Sequence, residues 1–177
     1  MAGAVTTATF LSGTLYYLGQ NRRALESLQN EIRSTFPCIE AINSRDLLEC
    51  VYLNAVVEEG LRIYPPAGAA HLSRIVPKGG CEISGRFIPE NVGCRLFNSS
   101  SALAASLPLF FWALTTALQT RVSVHPWSVL RDPTNFHAPE RFIPERWIAS
   151  TSEGQRGDRL DRSLPFSYGP RGCLGRK

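Results

Sequence analysis

The strongest signal in this 177-residue chain is the stretch Phe166-Ser-Tyr-Gly-Pro-Arg-Gly-Cys-Leu-Gly175. Within them, Cys173 stands among three glycines. A thiolate that ligates iron needs the backbone to approach its sulfur closely, and glycine permits that approach because it has no Cβ. The stretch therefore predicts an iron–thiolate site with Cys173 as the ligand. The alternative is a glycine-rich turn that contains an incidental cysteine.

Composition and charge indicate an ordinary folded protein. Hydrophobic residues make up 44% of the chain and charged residues 19%, which argues against disorder as the overall description. The net charge of +4 comes from scattered basic residues, so no nucleic-acid partner is predicted. The five cysteines form no CxxC pair and have no zinc-like spacing with the histidines. Neither a disulfide framework nor a zinc site is expected.

Hydrophobic periodicity predicts helices in the first third of the chain. Between Ala8 and Arg33 apolar residues recur mostly at three- and four-residue steps, which predicts one long helix or two joined ones. Asp46 is the expected cap of a further helix that continues past Leu61. Pro65-Pro66 should end this helix, because proline lacks an amide proton and clashes with the preceding turn.

The remainder of the chain predicts short strands and a long loop. Residues 74–91 alternate in β-like pieces with turn signals between them, and residues 121–129 resume the same style. Residues 131–172 are rich in Pro, Gly, Asp and Arg, and a loop of this length is usually functional. The predicted fold class is mainly α with a small β-sheet, that is, α+β.

The pattern Phe-x-x-Gly-x-Arg-x-Cys-x-Gly at residues 166–175 resembles the haem-binding signature of the cytochrome P450 family. An upstream motif agrees in order and approximate spacing, since Glu59-Gly-Leu-Arg62 is similar to the family's Glu-x-x-Arg. Glu59 and Arg62 lie one helical turn apart on the same face and can form an ion pair. In isolation they would be a solvated pair worth about 0.3–0.5 kcal/mol.

A second upstream motif has two candidate matches. Pro144-Glu145-Arg146-Trp147 and Pro139-Glu140-Arg141-Phe142 are both similar to the Pro-Glu-Arg-Phe or Pro-Glu-Arg-Trp element of the family. The register to the cysteine and the following tryptophan favour Arg146 over Arg141. The resemblance implies that Glu59, Arg62 and Arg146 form a buried structural network that pins the haem-side loop to the core.

The resemblance also implies roles at the haem itself. Cys173 becomes the axial thiolate of a b-type haem, and Phe166, Gly169 and Gly175 belong to the loop that carries it. Arg171 resembles the arginine that pairs with one haem propionate, and Arg74 lies where a second propionate contact often occurs. For either arginine, a surface position is the alternative.

The first residues, Ala2-Gly3-Ala4-Val5-Thr6-Thr7, resemble the oxygen-activation stretch of the family. Thr6 then takes the catalytic position that supports proton delivery. Val5 departs from the pattern, because the family has an acidic residue there and valine cannot relay a proton. The alternative is that the two threonine hydroxyls bond back to the preceding helical turn.

One segment interrupts the resemblance, which covers residues 2–91 and 120–177. No charged residue occurs between Arg95 and Arg121, and by length this stretch could span a bilayer. Removal of residues 92–119 lets the strand-turn-strand pattern read through as in the family. Val-Gly at its start and Leu-Gln at its end are compatible with the two ends of an intron. We therefore expect residues 92–119 to be an insertion or retained intron within a partial P450 domain of residues 1–177.

The resemblance, which is to fungal biosynthetic members in style, implies a haem-dependent monooxygenase. Such an enzyme hydroxylates a small apolar, secondary-metabolite substrate with dioxygen and electrons from an NADPH-dependent reductase. The complete protein would lie at the endoplasmic reticulum membrane through an N-terminal anchor. The anchor, most of the distal half and the helix after the cysteine loop are expected to be missing here, so this haem-proximal part is expected to be inactive. The alternative is a non-catalytic, truncated or mis-annotated remnant with no independent function.

Overall fold

The computed structural model describes residues 2–66, 72–90 and 120–176 of the chain. Two compact units are present, a helical unit formed by residues 1–70 with 125–177 and a strand unit formed by residues 71–124. The combination of helices with small antiparallel sheets confirms the predicted α+β class.

Two joined helices occupy the first predicted helical region. These are α1, Ala2–Gln20, and α2, Arg22–Thr35. The break falls at Asn21, whose backbone leaves the helical region and whose side-chain amide donates to the Tyr17 carbonyl at 2.8 Å. Of the two possibilities that the periodicity allowed, the structure has two joined helices.

The next predicted helix is also divided. It consists of α3, Ser44–Glu49, and α4, Val51–Ile63, with Cys50 between them. The prediction that Asp46 caps this region is wrong. Asn43 is the cap, because its side-chain oxygen accepts from the amides of Arg45 at 3.1 Å and Asp46 at 3.0 Å. Helix α4 ends before Pro65-Pro66, as predicted.

The N-terminus of α4 is capped by a side chain from α2. The residue at the cap position, Cys50, makes no side-chain capping bond. Instead, the Glu31 carboxylate accepts the Tyr52 amide at 2.8 Å with one oxygen and the Leu53 amide at 2.8 Å with the other. A carboxylate satisfies the free amides of a first turn and is favoured by the positive end of the helix dipole. Glu31 thus fixes α2 against the start of the helix that carries Glu59.

Replacement of this cap should measurably loosen the helical unit. Glu31→Ala is expected to lower the free energy of unfolding by about 1–2 kcal/mol, because two amides of α4 lose their acceptor. Urea unfolding followed by circular dichroism measures the change. Glu26→Ala is the matched control on the same helix, because Glu26 is exposed and forms its ion pair, within the described part of the chain, with Arg22. This substitution should change the free energy of unfolding by less than about 0.5 kcal/mol. Equal effects of the two substitutions would contradict the capping role.

Helices α1 and α4 pack closely through glycines. A Cβ on Gly60 would lie 2.4 Å from Thr14 Oγ1, and a Cβ on Gly13 would lie 2.3 Å from the Tyr64 ring. Both distances are too short for real contacts, so these positions need glycine. The core beside this crossing is apolar and consists of Leu18, Ala24, Val56, Ile63 and Phe142. This packing holds α4 between α1 and the segment Pro144–Trp147.

The strand unit contains two separate two-stranded sheets. Strand β1, Leu72–Ile75, pairs antiparallel with β4, Arg121–Val124, and β2, Cys81–Ile83, pairs antiparallel with β3, Arg86–Ile88. Ser84 and Gly85 form the β2–β3 turn with positive φ angles of 51° and 74°, a conformation that favours glycine.

The prediction that strand-like structure continues to residue 129 is wrong. Strand β4 ends at Val124, and a short helix, α5, spans Pro126–Leu130. Pro126 has no amide proton for strand pairing and suits the first position of a helix. The His125 ring caps this helix by accepting the Ser128 amide at 3.4 Å.

The loop predicted over residues 131–172 is present as a succession of turns. Three short 3₁₀ segments of the described residues lie in it, Pro144–Trp147, Leu160–Arg162 and Gly169–Arg171. A fourth, Leu174–Arg176, follows it. The predicted insertion, residues 92–119, lies outside the described residues. Among the helices of the described ranges, none has the length and hydropathy needed to cross a bilayer.

Candidate functional site

The centre of the site is the carboxylate of Glu59 on α4. Glu59 is fully buried, and Arg62, one turn further along the helix, is 1% exposed. Arg62 Nε donates to Glu59 Oε2 at 2.8 Å, and Arg62 Nη2 donates to Glu59 Oε1 at 2.8 Å. Two parallel bonds of this kind form the strongest and most directional arginine–carboxylate geometry.

Three donors from residues 143–147 reach the same carboxylate. The Ile143 amide donates to Oε1 at 2.9 Å, the Trp147 indole Nε1 donates to Oε2 at 2.9 Å, and Arg146 Nε lies 3.2 Å from the carboxylate. In the sequence, Trp147 serves to choose between the two Pro-Glu-Arg motifs, but the pattern does not predict the hydrogen bond from the indole to Glu59. Glu59 therefore binds the loop to α4 through both oxygens.

Arg62 uses its remaining donors on backbone carbonyls of the loop. Nη1 donates to the carbonyls of Leu130 and Pro139, both at 2.9 Å, and Nη2 donates to the carbonyl of Arg141 at 3.1 Å. With the two bonds to Glu59, all five N–H groups of this guanidinium have an acceptor. The guanidinium also lies 5.3 Å from the centre of the buried Phe136 ring. Arg62 thus fixes the path of the loop.

The structure places Arg146, and not Arg141, beside Glu59. Arg146 is 1% exposed, and its Nη1 donates to the His137 carbonyl at 3.1 Å as well as to Asp158. The side chain of Arg141 is exposed, and only its backbone carbonyl takes part. Of the two similar motifs, the one that starts at Pro144 therefore supplies the buried arginine.

Asp158 is part of the network and was not identified from the sequence. Its Oδ2 pairs with Arg146 Nη1, and its Oδ1 accepts the His137 amide at 2.7 Å. Only 6% of its side chain is exposed. Asp158 lies in a Gly-Asp-Arg sequence typical of a surface turn, so local sequence carries no signal for its burial.

A phenol adds a link between α4 and the turn at residues 144–147. The hydroxyl of Tyr52 donates to Glu145 Oε1 at 3.0 Å. The pKa of Tyr52 is raised well above its ordinary value, mainly because the phenol is partly buried and secondly because of this hydrogen bond. The phenol therefore stays protonated at neutral pH and remains a donor.

The cysteine loop is closed by its own backbone. The Cys173 amide donates to the Phe166 carbonyl at 2.8 Å, and the Gly172 amide donates to the Gly169 carbonyl at 2.9 Å. Gly169 has a φ of +75°, which only glycine adopts readily. A Cβ on Gly175 would lie 3.8 Å from Cys173 Sγ, an ordinary contact. The loop conformation therefore requires glycine at 169, and it leaves little room at 172, where a Cβ would lie 3.2 Å from the Gly169 carbonyl oxygen.

The Cys173 thiol is exposed and forms no disulfide. Its neighbour Leu174 is 96% exposed, and Tyr168 is also exposed on the same loop. A soft sulfur donor beside uncovered apolar side chains fits the thiolate side of a haem, since thiolate binds iron and the macrocycle needs an apolar cover.

The other predicted haem-site residues are less informative. The side chain of Arg171 lies outside the described residues. Arg74 is exposed in the strand unit, where its Nη1 donates to the Ser73 carbonyl at 3.2 Å. Thr6 is exposed in the first turns of α1, and the Thr6 and Thr7 hydroxyls donate to the Gly3 carbonyl at 3.4 Å and 2.7 Å. These back-bonds are the arrangement expected of threonine in any helix.

Comparison with known proteins defines the class. The family model for cytochrome P450 matches residues 1–102 and 118–177. The chain belongs to the cytochrome P450 family, and the family implies haem as cofactor. The unmatched residues 103–117 fall within the predicted insertion.

Fungal relatives align along almost the whole chain. It is 42% identical over 176 residues to the cytochrome P450 monooxygenase efuB of Hormonema carpetanum. It is 37% identical to the cytochrome P450 monooxygenases astA of Talaromyces wortmannii and hepD of Aspergillus oryzae, again over 176 residues. Each alignment covers 99% of this chain and 29% of the relative. The chain therefore spans less than a third of the length of these relatives.

Proposed function

We propose that this chain is the haem-proximal part of a cytochrome P450 monooxygenase in which Cys173 provides the axial thiolate of a b-type haem. The observation that carries the proposal is the closed loop from Phe166 to Gly175, which presents an exposed thiol. The family membership supports it, because the residues of this loop match the family signature.

The bound haem would supply oxygen activation, and thiolate donation favours cleavage of the O–O bond. This chain's residues hold and orient the group. Cys173 would bind the iron through its sulfur, and a guanidinium, that of Arg171 or that of Arg74, would suit a propionate. Thr6 would hold a proton at its hydroxyl. Because Val5 cannot carry a proton, the threonine hydroxyls are the proton-bearing side chains of that stretch.

Glu59, Arg62 and Arg146 have a structural role in this proposal. Their hydrogen bonds hold the loop of residues 130–147 on α4, and the chain then continues to the cysteine. A metal ligand keeps its geometry only when its supporting residues are fixed. The network therefore positions Cys173 without taking part in the reaction.

The substrate, electron donor and location follow from the same proposal. The relatives named above are fungal monooxygenases. We accordingly propose hydroxylation of a small apolar substrate of secondary metabolism, with an NADPH-dependent reductase as the electron donor. The complete protein would be held at the endoplasmic reticulum membrane by an N-terminal anchor.

Spectroscopy and isotope labelling together test this function. The protein encoded by the mature transcript is co-produced with a fungal reductase, reduced and exposed to carbon monoxide. A thiolate-type carbonyl spectrum is expected, and NADPH-dependent transfer of one atom from ¹⁸O₂ to an apolar product should accompany it. Absence of bound haem from the folded protein would overturn the proposal.

As a second candidate, the 177-residue chain by itself is a non-catalytic remnant. The interruption of the family match at residues 103–117 favours this possibility, because an insertion inside the domain would disrupt its fold. A mature transcript that ends at codon 177 would support the remnant. A transcript with coding sequence for a distal region upstream would support the monooxygenase.

The transcript should also lack the codons for residues 92–119. Without them, the turn after β3 leads directly into β4, which pairs with β1. The gap in the family match at residues 103–117 supports the loss of the central part of this segment, while residues 92–102 and 118–119 lie within the match. Sequencing of the mature message across codons 85–125 measures the outcome. A message that retains these codons, in a protein whose segment packs in a defined core position, would contradict the intron hypothesis.

A further inference from the structure

The three predicted network residues do not balance in charge. Glu59 carries one negative charge, whereas Arg62 and Arg146 carry one positive charge each, and the side chains of all three are fully buried. A net charge in such an environment is costly unless it is compensated. Asp158, with 6% of its side chain exposed, brings the fourth charge and makes the cluster neutral.

The two carboxylate oxygens of Asp158 have different partners. Oδ2 pairs with Arg146 Nη1, while Oδ1 accepts the His137 amide at 2.7 Å. Arg146 Nη1 also donates to the His137 carbonyl at 3.1 Å. These contacts close a ring of Asp158, His137 and Arg146. The Arg159 amide adds a bond to the Asn135 carbonyl at 2.8 Å.

This ring joins the two ends of one loop. Residues 135–137 meet residues 158–159, and the chain between them carries the Pro139 and Arg141 carbonyls that accept from Arg62. Closure of the loop therefore fixes the positions of these two carbonyl acceptors. It also fixes the point from which the chain continues toward Cys173.

Another carboxylate beside His137, that of Glu153, has different partners. Glu153 lies 3.6 Å from His137 Nδ1 and 3.1 Å from Arg156 Nε, and it is considerably more exposed than Asp158. Glu153 is thus engaged on the outer side of His137. Asp158 pairs with Arg146 at Nη1, whereas Glu59 lies at Nε of the same guanidinium.

We propose that Asp158 is a positioning residue of the haem site: it neutralises Arg146 and closes the loop that receives Arg62. Its effect on haem binding rests on the proposed function, whereas its effect on the network does not. Asp158→Asn removes both the negative charge and the acceptor at Arg146 Nη1, because the amide oxygen still accepts from the His137 amide while an NH2 group replaces Oδ2.

A double-mutant cycle tests the charge balance in the protein encoded by the mature transcript. Asp158→Asn is expected to lower the folding equilibrium constant at least about 100-fold. The double variant Asp158→Asn/Arg146→Gln leaves the neutral Glu59–Arg62 pair, so it should be no less stable than Asp158→Asn alone. A role in packing alone would make the two losses multiply. Urea unfolding provides the constants.

Each other outcome overturns the proposal. These outcomes are a change within about threefold for Asp158→Asn, losses that multiply in the double variant, and failure of the single and double variants alike to fold. Asp161→Asn is the control, because the side chain of Asp161 is 71% exposed and, among the described residues, forms its ion pair with Arg162.

The haem consequence is measured in parallel. The haem-to-protein ratio of Asp158→Asn should fall severalfold, while that of Asp161→Asn should stay at the unsubstituted value. Haem content that is unchanged in a destabilised Asp158→Asn protein would refute the positioning role. If the unsubstituted protein holds no haem, the proposed function fails, and the unfolding cycle still decides whether Asp158 balances the network.

Discussion

Arg62→Ala is expected to abolish haem incorporation in the full-length protein and not merely to slow turnover. The substitution removes the two-bond pair on Glu59 and leaves Arg146, among the described residues, as the one arginine facing the buried carboxylates of Glu59 and Asp158. It also removes the donor to three backbone carbonyls. Breaking a buried pair in this way costs about 3–5 kcal/mol, a large share of the roughly 5–15 kcal/mol that stabilises a typical domain. The haem-to-protein ratio of the purified variant measures the effect.

Arg141→Ala is the matched control for this experiment. Arg141 belongs to the competing motif, its side chain is exposed, and the backbone carbonyl that accepts from Arg62 survives the substitution. Normal haem content is therefore expected for Arg141→Ala. Normal haem content in Arg62→Ala would refute the assignment of the network.

Cys173→Ser should eliminate the thiolate-type carbonyl spectrum of the full-length protein while leaving its fold intact. The side chain is exposed, and the amide that closes the loop onto Phe166 is unaffected by the substitution. A serine hydroxyl does not provide the soft anionic donor of a thiolate. The spectrum of the reduced protein under carbon monoxide, with circular dichroism for the fold, measures the outcome.

Two comparisons complete the cysteine experiment. Cys38→Ser replaces another exposed cysteine and should leave the spectrum unchanged. The polypeptide of residues 1–177 alone should give no stable thiolate spectrum, because its sulfur and Leu174 are uncovered. Persistence of the spectrum after Cys173→Ser would overturn the ligand, and a stable spectrum from residues 1–177 would show that the site needs less of the fold.

The motifs that sequence predicts well are local. Glu59 and Arg62 are three residues apart on one helix, so their pairing follows from helical geometry. The loop at Cys173 is similarly contained within ten residues. The helix break at Asn21 was foreseen only as one of two possibilities, because periodicity continues across a junction that a single residue interrupts.

The contacts that sequence does not predict are distant along the chain. Glu31 caps a helix that begins 20 residues later, and Asp158 meets an amide 21 residues earlier. A carboxylate has the same local appearance in both roles as it has on a solvated surface. The wrong prediction for Asp46 is a similar error at short range. Asn43 and Asp46 lie three residues apart and both are residue types that cap helices, and in the structure Asn43 occupies the cap position.

The three loop contacts of Arg62 involve only main-chain oxygens, those of Leu130, Pro139 and Arg141. Every amino acid has a backbone carbonyl, so Arg62 does not recognise the side chains at these three positions. It recognises the spacing of the three carbonyl oxygens along the chain. These three bonds should therefore be insensitive to the side chains at the acceptor positions and sensitive to changes in length, because even a one-residue deletion between Leu130 and Arg141 would move an acceptor away from a guanidinium that cannot follow it.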